Sequence, residues 1–273
     1  MRRLSDSRLR SAVADATAVS GPTVQDIILE TRALTKEFKG FVAVNDINLK
    51  VRRGSIHALI GPNGAGKTTC FNLLTHFLEP TRGQIFYNGR EITGSSPASI
   101  ARMGLVRSFQ ISAVFPHRTV LENVRIALQG KRGSSFDFWR SERVLDGLNA
   151  RALELIEAVG LAEYEHSVAV ELPYGRKRAL EIATTLALDP EMMLLDEPTA
   201  GMTHEDVERI TALIRRVAQD RTVLMVEHNL SVVANLSHTI TVLQRGEILA
   251  EGDYAGVSNN PQVIEAYLGS GHG

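Results

Sequence analysis

Residues 61–68 read Gly-Pro-Asn-Gly-Ala-Gly-Lys-Thr, and few octapeptides constrain a fold so tightly. The pattern G-x-x-x-x-G-K-[ST] sets glycines where the backbone must turn until successive N–H groups converge on one point. Such a point attracts phosphate oxygens. A lysine there adds a point charge, and a threonine hydroxyl is a hard oxygen ligand of the kind Mg²⁺ takes. The loop works only between a strand and a helix, because the positive end of the helix completes the cradle. Both flanks are present. Ile56 to Ile60 has the length and character of a buried strand, and helical spacing runs from Lys67 to about Phe77. Gly61, Pro62, Asn63, Gly64, Ala65, Gly66, Lys67, Thr68 and Thr69 are therefore the expected phosphate-binding residues, with Thr68 also a metal ligand. Cys70 follows in the same helix and reads as a small packing residue. Its place near a helix N-terminus is the one reason to expect a lowered thiol pKa.

A second constellation closes the strand Met192 to Leu195, where four apolar residues give way to Asp196 and Glu197. A buried parallel strand delivers its first polar residues at its carboxyl end, where open α/β sheets bind ligands. Asp196 is expected to face the metal near Thr68 through water. Glu197 is expected one residue further, toward the γ-phosphate, where it orients or deprotonates an attacking water. Around these motifs the pattern alternates. Ile27 to Leu29, Val42 to Val44 and Ile47 to Val51 suggest an antiparallel starter sheet, and Gly83 to Tyr87 with Asn88-Gly89 a hairpin. Ser96-Pro97 opens a helix, with a capping hydroxyl and Pro at the first helical position. Helical periodicity then dominates to about Leu188, with Val120, Val124 and Ile126 on one helix. Strands return at Val223 to Val226 and Ile240 to Leu243, linked by a helix from Glu205 to Gln219. Strand, loop, helix, strand in that order implies a parallel sheet with right-handed crossovers.

Composition narrows the function classes. Thirty Lys+Arg against thirty-one Asp+Glu leave a net charge of −1, short of the basic excess of a general nucleic-acid binder. One cysteine closes no intramolecular disulfide, which suits a reducing compartment. No apolar run approaches the ~20 residues that span a bilayer, and no apolar h-region follows the arginines of residues 2–10. Residues 1–24 read as a mobile tail, with weak attraction to anionic lipid as the alternative.

Three further elements bring a family into view. Gln110 closes the strand Leu105 to Phe109, Leu172-Pro173-Tyr174-Gly175-Arg176 precedes a helix, and His228 follows Glu227 at a strand end. Phosphate loop, glutamine, LPYGR, Asp-Glu and histidine, in this order, resemble an ATP-binding-cassette (ABC) ATPase from about Ile27 to Gly269. Arg107-Ser108-Phe109-Gln110, Leu180-Glu181-Ile182-Ala183, Glu197-Pro198-Thr199-Ala200-Gly201-Met202 and the ending Val263 to Gly269 are similar to the ATPase subunits of branched-chain amino acid importers.

The resemblance implies an α/β fold: a P-loop NTPase core with a mixed β-sheet, an antiparallel β subdomain and an inserted helical subdomain. The core with its β subdomain is expected over 25–110 and 184–250, the helical subdomain over 111–183, and a branch-specific segment over 251–273. It further implies ATP and Mg²⁺, with Phe38 stacked on adenine, Gln110 and Asp196 completing the metal shell, and His228 bonded to the γ-phosphate beside the catalytic Glu197 and Gln110. Tyr174 and Gly175 would cap the ATP of a second ATPase chain. The remaining implied partners are integral-membrane permease subunits and, indirectly, a solute-binding protein, with no nucleic acid. The location implied is the cytoplasmic face of a bacterial plasma membrane. Branched-chain amino acids are the implied cargo, with urea, short amides or another small polar solute as the alternative.

Two positions depart from the family pattern. Pro173 stands where a serine is usual, which removes a hydroxyl and a backbone donor, and Thr203 stands where an aspartate usually makes a contact across the dimer. The short apolar segment Ile111 to Phe115 reads either as part of a groove for a permease helix or as packing inside the helical lobe. The stretch Lys131 to Arg143 reads as a loop and helix edge tucked onto that lobe, with a membrane-surface contact as the alternative. Soluble cassettes acting on nucleic acid usually carry two cassettes or long coiled coils, and this chain has one cassette and no heptad run. A scaffold that binds ATP without turnover would not need Glu197 and His228.

Overall fold

The computed structural model describes residues 27–108, 114–131 and 142–268. Residues 1–24, Gln110, Ile111 to Ala113 and most of Lys131 to Arg143 thus lie outside the described residues, and the expectations made for them with it. The chain opens with a hairpin of β1 (Ile27–Phe38) and β2 (Phe41–Ile47), and β3 (Lys50–Arg52) returns along β1. β4 (Ile56–Ile60) then runs into the phosphate loop and α1 (Lys67–Leu74). β5 (Arg82–Tyr87) and β6 (Arg90–Glu91) make a second hairpin, followed by α2 (Pro97–Arg102) and β7 (Leu105–Ser108). The helical stretch holds α3 (Val120–Lys131), α4 (Glu142–Ala158) and α5 (Tyr174–Ala187). After it β8 (Met192–Asp196), α6 (His204–Val217), β9 (Thr222–Val226), α7 (Leu230–Leu236) and β10 (Thr239–Gln244) alternate. β11 (Glu247–Gly252), α8 (Tyr254–Ser258) and α9 (Pro261–Leu268) follow.

The described residues form two sheets. One is antiparallel, in the order β2-β1-β5-β6 with β3 also on β1. The other runs β11-β10-β4-β9-β8-β7 and is parallel except for its edge strand β11. Every residue of β4, β8 and β9 is buried, which is why these strands read as continuous apolar runs and not as alternating ones. Successive side chains still point to opposite faces. Leu59, Leu194 and Leu224 join Phe71 and Leu74 of α1 in the layer between the sheets, while Leu195 and Met225 pack with Ile182 of α5 and Ile214 of α6 on the other face. The two layers hold the carboxyl ends of the parallel strands in fixed register beside the phosphate loop.

Three local expectations shift. α1 ends at Leu74 instead of near Phe77: the Thr75 hydroxyl donates to the Phe71 carbonyl at 2.9 Å, and His76 takes a left-handed φ of 55°. The run Ile47 to Val51 divides into two strands because the Asn48 side chain leaves the ladder to accept the Ala33 N–H at 2.9 Å. α3 buries Val120, Val124 and Leu128, at i, i+4 and i+8, and leaves Ile126 half-buried. Ser96 caps α2 as expected, accepting the Ser99 N–H.

A buried titratable group sits inside the central sheet. His57 of β4 is 1% exposed, and its Nε2 lies 2.7 Å from Thr241 Oγ1. Thr241 gives its proton to Glu251 at 2.6 Å, so the His57 Nε2–H is the donor to Thr241. Burial lowers the imidazole pKa from 6.5 to about 4. The unfolded chain therefore binds this proton at higher pH than the native one, and stability falls as pH drops from 6.5 toward 4. The loss attributable to His57 is about 3 kcal/mol. Thermal unfolding across that range is expected to show a declining Tm, and His57→Gln is expected to flatten the decline. An unchanged slope in the variant would show that the stability loss comes from other groups.

Candidate functional site

The phosphate loop is shaped by what crowds it. Gly61 has a φ of 149°, and a Cβ there would meet the Leu243 carbonyl oxygen of β10 at 2.2 Å. Gly66 has a φ of 99°, and a Cβ would meet the Ala43 carbonyl oxygen of β2 at 2.6 Å. Glycine is required at both positions by close backbone approach as well as by φ. Gly66 is also the N-cap of α1, where no side chain competes for the first N–H groups of the helix. Lys67, 6% exposed, donates from Nζ to the carbonyls of Gly61 at 2.7 Å and Pro62 at 2.9 Å. Burial lowers its pKa, and the nearby Glu197 carboxylate acts against that shift. Asn63, Gly64 and Thr68 are exposed, and Thr69 is half-buried. Cys70 is fully buried and its thiol pKa rises to about 12, so the packing reading holds and the activated-thiol reading does not.

β8 delivers both acids. Asp196, 5% exposed, forms an ion pair with Arg107 of β7, and Arg107 Nη1 donates to Asn72 Oδ1 of α1 at 2.6 Å. Glu197 turns away from the strand with a φ of 45° and donates its N–H to the Val226 carbonyl at 2.9 Å. Its Oε1 lies 2.9 Å from His228 Nε2, both side chains being partly exposed. The structure thus brings Lys67, Glu197 and His228 together at the mouth of the loop.

Beneath this pair lies Glu227, 3% exposed, which accepts from the N–H and hydroxyl of Thr199 and from the N–H groups of His228 and Asn229. Its partners are all donors, so an acceptor-only group is required there. One carboxylate therefore ties the loop after Glu197 to the loop that carries His228.

The other expected residues stand on separate elements. Phe38 ends β1 and is 41% exposed, which excludes a core-packing role, and Lys36 Nζ lies 5.1 Å from its ring. Phe41, across the same hairpin, is 67% exposed. Pro173 is the N-cap of α5, Tyr174 is 53% exposed, and Gly175 is buried. A Cβ on Gly175 would meet the Asp206 side chain of α6 at 2.5 Å, so a larger residue there would require that carboxylate to move. One turn on, buried Arg178 pairs with Glu181 and donates from Nη2 to the Glu197 carbonyl at 3.2 Å. Burial raises the Glu181 pKa, and Arg178 opposes the rise.

Comparison with known proteins decides the family. A family model described as ABC transporter matches residues 44–200, more than half of the chain. The chain belongs to the ABC transporter family. A second model, described as branched-chain amino acid ATP-binding cassette transporter, matches residues 247–273. The chain is 40% identical over 252 residues to the high-affinity branched-chain amino acid transport ATP-binding protein BraF of Pseudomonas aeruginosa, covering 89% of this chain and 98% of the relative. It is 40% identical over 254 residues to LivG of Escherichia coli, which carries the same description, with the same coverage. Among solved structures, the ADP conformation of an ATP-binding cassette of an ABC transporter superposes with a TM-score of 0.79 at 30% identity, over 89% of this chain and 99% of that one. As an ABC ATP-binding protein the chain binds nucleotide and is an ATPase, with the P-loop core, mixed sheet and antiparallel sheet of that fold.

Within this ABC cassette the two unusual positions acquire local explanations. Pro173 suits an N-cap whose backbone is extended, with φ −56° and ψ 155°. Thr203 caps α6, accepting the Asp206 N–H at 3.3 Å, as an aspartate there could also do. Arg107, Arg178 and Glu227 had no expected role in the site. Glu227, directly after β9, carried the signal already applied to Asp196, a polar residue at the carboxyl end of a buried parallel strand, whereas Arg107 lies inside β7. Arg178 carried none, since its reach to Glu197 depends on how α5 packs.

Proposed function

We propose that this ABC cassette is the ATP-hydrolysing subunit of an importer for branched-chain amino acids. The 40% identity to BraF over 98% of its length, with the match at residues 247–273, carries the choice of cargo. The 2.9 Å contact between Glu197 and His228 beside Lys67 carries the chemistry.

In this reading the N–H groups of residues 61–68 and the α1 terminus bind the β- and γ-phosphates, and Lys67 exchanges its carbonyl partners for phosphate oxygens. Phe38 stacks on the adenine. Glu197 takes a proton from the attacking water, and His228 holds Glu197 on one side while facing the γ-phosphate on the other. Among the described residues no group of three or more His, Cys, Asp or Glu forms a metal cage, which fits an ion that arrives on the nucleotide and takes few protein ligands. The Thr68 hydroxyl, the Asp196 carboxylate and Gln110 are the oxygen donors that would hold Mg²⁺. Bound there, it would neutralise charge on the phosphates.

Tyr174 and Gly175, at the start of α5, cover the nucleotide of a second cassette, so that ATP joins two chains and its hydrolysis releases them. Work then passes to membrane subunits. No helix of the described residues is long and apolar enough to cross a membrane. In this reading the cassette acts on permease subunits at the cytoplasmic face of a bacterial plasma membrane, as its likeness to BraF and LivG supports. An apolar groove of about 400 Å³ between the core and the helical lobe suits a permease helix. Phe77, Ile100, Leu105, Ala127 and Leu188 line it. Phe115, 51% exposed, is held by Asn123 through its N–H at 2.6 Å and its carbonyl at 3.1 Å, which presents the ring as a further contact. A solute-binding protein on the outer side would select the cargo.

Uptake of labelled solutes tests the assignment. Deleting the gene in its host is expected to abolish high-affinity uptake of leucine, isoleucine and valine, and the wild-type chain is expected to restore it. Intact leucine uptake together with lost uptake of urea or a short amide would move the cassette to that cargo.

A further inference from the structure

Glu197 and His228 stand on different strand ends, so the contact between them is only as precise as the placement of two loops. Glu197 directly follows β8, and His228 stands just beyond β9. Glu197 also holds a left-handed φ of 45°, a backbone shape that persists in a residue with a side chain only where neighbours enforce it. Its N–H donates to the Val226 carbonyl at 2.9 Å, and its carbonyl accepts the Ala200 N–H at 3.1 Å, which closes a turn around Pro198 and Thr199. That turn is held down in its turn by Glu227. The Thr199 N–H, at 2.9 Å, and the Thr199 hydroxyl, at 2.5 Å, both donate to Glu227 Oε1.

The other oxygen of Glu227 serves the other loop. Oε2 accepts the His228 N–H at 2.9 Å and the Asn229 N–H at 3.1 Å. Asn229 then caps α7, its side chain accepting the N–H groups of Ser231 and Val232. One carboxylate oxygen thus fixes the turn that follows Glu197, and the other fixes the start of the loop from which His228 extends. Glu227 is 3% exposed and Thr199 5%, so water is kept from competing with either half of the bridge.

We propose that Glu227 is a positioning residue for ATP hydrolysis: through Thr199 and the His228 peptide it sets the distance between the Glu197 carboxylate and the His228 imidazole. The proposal rests on the reading that these two groups act on the attacking water. Two acceptor oxygens fit among four donors, and a glutamine amide offers one. With its NH2 in place of Oε2 the amide faces two backbone N–H groups. With its NH2 in place of Oε1 it faces Thr199, whose hydroxyl can rotate to accept while its N–H cannot. Either way a buried backbone donor loses its acceptor, and one of the loops must move. Misplacement of a reacting group by about 1 Å costs about a hundredfold in rate. The phosphate loop lies outside the bridge, so nucleotide affinity is spared.

The test uses the full chain, with ATP turnover and MgADP calorimetry side by side. Glu227→Gln is expected to lower kcat about ten- to a hundredfold, with KM for ATP and Kd for MgADP within about twofold of the wild type. Thr199→Val keeps the shape of its side chain and removes one bond from the far end of the bridge. It is expected to lower kcat about three- to tenfold with the same unchanged affinity. Val223→Ala opens a cavity near the start of β9, away from the bridge, and is expected to lower Tm while kcat stays within about twofold. Wild-type kcat in either bridge variant would overturn the proposal. So would an equal loss of kcat in Val223→Ala, because general loosening of the strand would then account for the effect. A fall in MgADP affinity as large as the fall in kcat would overturn it too, since the whole site would then have shifted. Wild-type turnover in Glu197→Gln would instead defeat the assignment of the base, and the proposal with it.

Discussion

Glu197→Gln is expected to abolish ATP turnover while ATP stays bound. The substitution keeps the size of the side chain and its contact with His228 at 2.9 Å, but replaces a base by an amide with no useful proton affinity. General-base assistance contributes about 10² to 10⁴ in rate, and a loss of that size is the expected result. Binding does not depend on that proton transfer, so calorimetry should show the affinity of the wild type. If ATP joins two cassettes and hydrolysis separates them, the variant should also elute as a dimer in MgATP and as a monomer without it. Turnover at the wild-type rate would remove Glu197 from the role of base and would leave His228 or the Mg²⁺ shell to supply it.

Lys67→Ala is expected to cost binding itself. The ammonium is nearly buried, and its present acceptors are the Gly61 and Pro62 carbonyls at 2.7 and 2.9 Å. In the proposed reading nucleotide binding replaces these neutral acceptors by charged phosphate oxygens, and charge-assisted hydrogen bonds contribute about 1.5–3 kcal/mol each. Removing two of them predicts a rise in Kd for MgATP of at least about a hundredfold. Isothermal titration at matched salt measures it directly. An unchanged affinity would mean that the backbone cradle alone holds the phosphates.

The parts of this cassette that local patterns encode could be read in the chain. Four apolar residues before Asp196 announce a buried strand and the place where its ligand-facing end must be. Ser96 before Pro97 announces a helix start. What could not be read depends on contacts between distant segments. Asn48 breaks an apparent strand because its side chain finds the Ala33 N–H, and nothing near Asn48 in sequence reports that. Gly175 is expected to serve a partner's phosphate, and within this chain a Cβ there would also meet the Asp206 side chain of α6 at 2.5 Å. Phe38 is exposed and Phe41 more so, a distinction that strand alternation at a hairpin end does not resolve. The pairing of Arg107 with Asp196 joins residues far apart in sequence that only the closed sheet brings into reach.

The bond from Arg178 to the Glu197 carbonyl has a mechanical consequence. In the proposed reading, Arg178 belongs to the helix whose first turn would meet a neighbouring cassette, while Glu197 follows β8 of the sheet that would carry this cassette's own nucleotide. A tilt of the helix relative to the sheet must stretch that 3.2 Å tether or drag the Glu197 peptide along with it. If two cassettes pair across their nucleotides as proposed, docking at one would be felt at the other through a lever inside each chain, with no need for the two triphosphates to touch a common residue.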